Sequence, residues 1–152
     1  MVDLNALWKA GQCPLCNGVL FPDGSYFPVF VQGDYPLLPD ELSIVRIEPA
    51  RWDEASKEWT TLRPLGVLRE EAGWLHYGGG VSDDAGFVAR LDESENLLWL
   101  AYFNGVCPFV TVEGAGAAFM ARNANVWRWH FPVVEPQKFW IEAPGKDLNV
   151  WG

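Results

Sequence analysis

The sequence predicts a mainly β protein: antiparallel sheets forming a sandwich or a partly open barrel, with at most one or two short peripheral helices. Three observations carry that expectation. Apolar residues alternate in many short runs and seldom recur at helical spacing. Gly, Pro and Asp clusters break the runs at intervals of about ten residues, with no βαβ alternation between them. Aromatic residues make up 14% of the chain and include nine tryptophans; each large ring can bury roughly 150–250 Å² in a sheet core. With 152 residues, 49% of them apolar, the chain is expected to build one domain around its own core.

Taken in order, residues 4–10 read as a short helix capped by Asp3. Residues 26–32 (YFPVFVQ), 43–48 (SIVRIE) and 58–62 (EWTTL) are rich in β-branched and aromatic side chains and read as strands. A polar turn within Arg51 to Trp59 predicts that residues 43–62 form a hairpin, and residues 64–71 read as a second short helix. Two later segments, 86–103 (GFVARLDESENLLWLAYF) and 117–131 (AAFMARNANVWRWHF), look like variants of one strand-turn-strand unit. In each, an apolar stretch runs into Ala-Arg, Ala89-Arg90 or Ala121-Arg122, before a polar turn and a Trp-bearing strand. Both repetition and ordinary meander geometry fit that pattern. Alternation puts Trp127 and Trp129 on one side of their strand and Arg128 on the other.

Charge narrows the function classes. Twenty acidic residues against eleven basic ones give a net charge of −9, which repels nucleic-acid backbones and anionic membranes and favours a basic protein partner or simple solubility. No window approaches the roughly 18 consecutive apolar residues of a membrane helix, and the start MVDLNALWKAGQ lacks the basic and apolar regions of a signal peptide. A cytoplasmic protein with no membrane or nucleic-acid partner is the expectation. Three cysteines, Cys13, Cys16 and Cys107, cannot all pair within one chain, and a cytosolic setting keeps thiols reduced.

The sharpest local motif is Cys13-Pro14-Leu15-Cys16, half of a zinc knuckle. A structural zinc site needs four ligands, so completion would draw on Cys107, His76 or His130; the other reading is a reduced pair in a turn, with no cofactor. Redox chemistry would require a βαβ frame that the flanking residues lack. Gly78-Gly79-Gly80 invites a phosphate-loop reading, but Asp83 and Asp84 follow where a Lys and a Ser or Thr are needed. The glycines therefore read as a positive-φ turn, with His76 at a strand end and His130 inside a strand. No GxSxG or HExxH pattern is present, Cys107 reads as a buried structural thiol, and the many Asp and Glu side chains read as turn residues rather than an acid–base pair. The chain is not expected to be an enzyme.

From Asp34 to Glu95 fourteen acidic residues face six basic ones, so the excess negative charge belongs to the central loops and hairpins. Such a field speeds capture of a basic protein, and neighbouring aromatics can anchor it. The expected partner-binding residues are Glu70, Glu71, Trp74, Tyr77, Asp83, Asp84, Asp92, Glu93 and Glu95. The stretch DDAGFVARLDE from Asp83, the strand LLWLAYF from Leu97, Cys107-Pro108-Phe109 and the hairpin from Asn123 to Trp129 together resemble small bacterial immunity proteins of polymorphic toxin systems. That resemblance covers the carboxy-terminal half. It implies a compact, acidic, cytoplasmic inhibitor that blocks a cognate toxin, with a nuclease as the basic target. The reading from another class is a small-ligand or zinc-binding β domain with Cys13 and Cys16 as a structural site.

Overall fold

A computed structural model describes residues 3–32, 43–55, 57–70, 72–81, 84–115, 117–123, 127–143 and 146–149. Strands, numbered along the chain, dominate it. The large sheet runs in the order β4 (Ser43–Arg46), β3 (Ser25–Gln32), β2 (Gly18–Leu20), β10 (Leu97–Asn104), β9 (Ala85–Asp92), β8 (Gly73–Gly79), β7 (Arg63–Glu70), and β5 (Ala50–Arg51) also pairs with β3. The second sheet is a meander of β11 (Phe109–Ala115), β12 (Ala118–Asn123), β13 (Arg128–Pro132), β14 (Trp140–Ala143) and β15 (Lys146–Asn149). Every one of these pairings is antiparallel. Neither sheet closes on itself among the described residues, so the antiparallel sheets form a sandwich-like fold without a closed barrel.

Period-two alternation explains how one sheet serves two cores. Val88, Ala101, Phe103 and Leu75 point from the large sheet toward the small one. There they meet Phe109, Phe119, Trp129, Phe131 and Ile141. The rings interlock: Phe119 and Phe131 stack at 5.2 Å, Phe103 meets Trp129 at 5.0 Å, and Trp99 stacks on Phe119 at 5.7 Å. Trp127 and Trp129 are both buried while Arg128 is exposed, as their spacing requires. The intervening residues of the large sheet, Phe87, Ala89, Leu100 and Tyr102, face the opposite way. That second core is covered by α1 (Leu4–Lys9), by the ribbon of β1 (Gln12–Pro14) with β6 (Trp59–Thr61), and by Trp52 of α2 (Trp52–Ala55). Asp3 caps α1 by accepting from the Asn5 backbone N–H at 3.1 Å.

Two sequence expectations are overturned. Residues 43–62 do not form a hairpin: β4 folds back on β3, and β6 pairs with β1, Thr60 opposite Cys13. The polar segment between them instead buries Trp52, which is 1% exposed and donates its indole N–H to the Phe21 carbonyl at 2.9 Å. Burial of that ring outweighs a local turn that lacks the residues a tight hairpin favours. Residues 64–71 are not a helix, since β7 occupies that stretch and pairs with β8 through a bulge between Pro64 and Gly66. Helix propensity yields here to a neighbouring strand able to pair with it. The two strand-turn-strand units are the hairpins β9–β10 and β12–β13, which lie in different sheets.

Candidate functional site

The site grows from the end of the large sheet. Antiparallel register places Val67 opposite His76 and Arg69 opposite Trp74, so all four share the face that carries the second core. Helix α1 covers only the inner part of that face. Its Trp8 meets His76 edge to face at 5.3 Å and Phe87 at 5.9 Å. Beyond Trp8 the apolar surface stays open: Val67 is 50% exposed.

Charge is set around this apolar strip by the β9–β10 turn. The Asp92 carboxylate accepts from the backbone N–H groups of Ser94 and Asn96, both at 2.9 Å, and Glu95 adopts a φ of 64°. That tight turn leaves Glu93 and Glu95 exposed at the rim. Arg69 lies across the same edge, its guanidinium carbon 4.6 Å from the Trp74 ring centroid. One of its nitrogens donates to the Gly73 carbonyl at 3.3 Å and the other stands 4.0 Å from Glu93. Burial pulls the His76 imidazole below its ordinary pKa and the Glu95 charge partly opposes this, so His76 is neutral near pH 7. The result is an aromatic and aliphatic strip with a neutral histidine at its centre and carboxylates along one rim.

Of the nine residues expected at a partner surface, three come together here: Trp74, Glu93 and Glu95. Glu70 and Tyr77 belong to the opposite face of the sheet, where Glu70 pairs with Arg90 at 2.8 Å and Tyr77 packs against the first core. Asp92 is consumed by its own turn. Asp84 sits past the other end of β9, about 26 Å from Asp92 at 3.3 Å per residue, with its backbone carbonyl accepting from Val106 and Cys107. Glu71 and Asp83 lie outside the described residues. The grouping of Glu70, Trp74, Tyr77 and Asp84 on one surface is therefore corrected: alternation splits the first three between two faces, and a full strand separates the last. Sequence reasoning missed Trp8, Val67, Arg69 and His76. The signal was the alternation of Val67 and Arg69 with Leu68, hidden by the helical reading of that stretch.

No family model, curated protein or solved structure matches this chain. Its functional reading rests on its own side chains.

The other motifs resolve into packing. Cys13, Cys16 and Cys107 are buried, reduced thiols, and burial, with the nearby Cys16, pushes the Cys13 thiol far up. Among the described residues no group of three or more His, Cys, Asp or Glu side chains is placed to hold a metal ion. The zinc half-site thus gains no third ligand there. Gly78 and Gly79 lie in β8 rather than in a positive-φ turn, and they are small because neighbours press on them. A Cβ on Gly78 would stand 2.2 Å from the Arg63 carbonyl oxygen. His76 is accordingly inside a strand, not at its end. His130 is also a strand residue, on the outer face of the second sheet, stacked on Trp140 at 4.1 Å and 3.0 Å from Glu142. No helix among the described residues is long and apolar enough to cross a membrane.

Proposed function

We propose that the chain is a non-enzymatic, stoichiometric inhibitor that binds a basic protein in the cytoplasm, in the manner of the immunity proteins its carboxy-terminal half resembles. A toxin nuclease is the partner whose chemistry fits best. The observation that carries this reading is the patch at the β7–β8 edge, where exposed Val67 adjoins Trp74 and His76 under a rim of Glu93 and Glu95. Aromatic anchors beside desolvated aliphatic surface supply most of the binding energy in protein interfaces. A rim charged oppositely to the partner, on a chain of net charge −9, raises the rate of productive encounter.

The test identifies the gene adjacent to this chain's own and purifies the toxin domain expected there, a basic nuclease. A 1:1 complex that stops DNA or RNA cleavage is expected. Glu93→Gln with Glu95→Gln should slow association about tenfold at low salt and flatten its salt dependence. Val67→Asp should act mainly on dissociation, shortening the lifetime of the complex by a similar factor. Association and dissociation rates unchanged in both variants would overturn the assignment of this patch.

A further inference from the structure

We infer that Trp74, the Gly73 carbonyl and Glu93 form a guanidinium-binding site, filled by Arg69 in the unbound protein and taken over by an arginine side chain of the partner on binding. The inference deepens the partner-binding reading above and rests on it. An indole face, a carbonyl oxygen and a carboxylate are the three groups that a planar cation with a fork of N–H donors engages at once. Arg69 touches all three: 4.6 Å from the ring centroid, 3.3 Å to the carbonyl, and 4.0 Å to the carboxylate.

The receiving groups are fixed while the occupant is loose. Gly73 is pressed against β9, since a Cβ there would lie 2.0 Å from the Leu91 carbonyl oxygen. Trp74 is braced by the second core. Arg69, by contrast, keeps half its side chain in solvent, and its ion pair with Glu93 sits at the outer limit of contact distance. Such a pair exchanges readily with an external guanidinium of the same chemistry. The site also adjoins Val67, so an arginine delivered there would bring the backbone beside it onto the apolar strip. A lysine fits less well, because an ammonium cannot lie flat on the indole while donating to both oxygens.

The experiment compares hexa-arginine and hexa-lysine peptides on the full-length wild type, Arg69→Ala and Arg69→Ala/Glu93→Gln, reading the Trp74 indole N–H resonance during titration. Circular dichroism checks that each variant is folded. Emptying the site should tighten hexa-arginine binding about tenfold over wild type, and removing Glu93 as well should reverse most of that gain. Hexa-lysine should bind Arg69→Ala several-fold more weakly than hexa-arginine. Equal affinity of hexa-arginine for wild type and Arg69→Ala, or equal binding of the two peptides, would overturn the site. If that happens while the nuclease still responds to Glu93 and Glu95, the site falls and the partner reading stands. If Arg69→Ala takes the arginine peptide but no nuclease is bound, the site stands and the partner reading falls.

Discussion

The indole of Trp8 meets the imidazole of His76 edge to face, ring centroids 5.3 Å apart and planes at 90°. Helix α1 is thereby seated over a titratable group whose charged form its own burial disfavours.

A pH dependence follows. Because the folded protein holds the His76 pKa below the ordinary 6.5, the unfolded chain binds the proton more readily as pH falls. Stability is full above about pH 6.5 and is lost as pH drops through the lowered folded value. Urea midpoints measured from pH 8 to pH 5 should fall over that window, and His76→Gln should flatten the curve. Glu95→Gln removes the charge that opposes the shift, so it should deepen the loss. A wild-type midpoint independent of pH in this range would contradict the packing described.

Glycine positions give a second contrast. Gly73→Ala would drive a methyl group to 2.0 Å from the Leu91 carbonyl oxygen, an overpacking expected to cost about 1–3 kcal/mol. Gly114→Ala, in β11, meets nothing within 4 Å and should be neutral or stabilising by up to ~1 kcal/mol. Chemical denaturation of the two variants side by side checks the ordering; equal stabilities would show that β8 and β9 are not in close approach.

Thiol chemistry supplies the third. Cys13, Cys16 and Cys107 are all buried, and burial raises the Cys13 and Cys107 thiols above their ordinary range, which suppresses the reactive thiolate. At pH 8 an aromatic disulfide reagent should label none of the three in the native protein and all of them in denaturant. Rapid labelling of Cys13 or Cys16 without unfolding would contradict the closed second core.

The sheet character was legible because alternation is a local property of the chain. The β9–β10 and β12–β13 hairpins, and the shared side of Trp127 and Trp129, follow from spacing alone. Partners distant in sequence were not legible. Nothing near Trp59 indicates that its strand will pair with Gln12 to Pro14, and nothing near Ser43 indicates that β4 turns back onto β3. The stretch from Pro64 carries good helix formers, and only the adjacent glycine-rich β8 makes it an edge strand. The site suffered from the same blindness. Proximity along the chain groups acidic residues with neighbouring aromatics, whereas the fold sorts Glu70 from Arg69 and Tyr77 from Trp74 by the face each side chain takes.

Along β8 the duties alternate residue by residue: Leu75 and Tyr77 turn into the first core, Trp74 and His76 toward the open strip. On the binding reading proposed above, recognition and architecture are written in interleaved letters of one strand, so the outward set could be respelled for a different target while the inward set goes on holding the sheets together. A scaffold of this kind can drift in what it grips without first having to relearn how to fold.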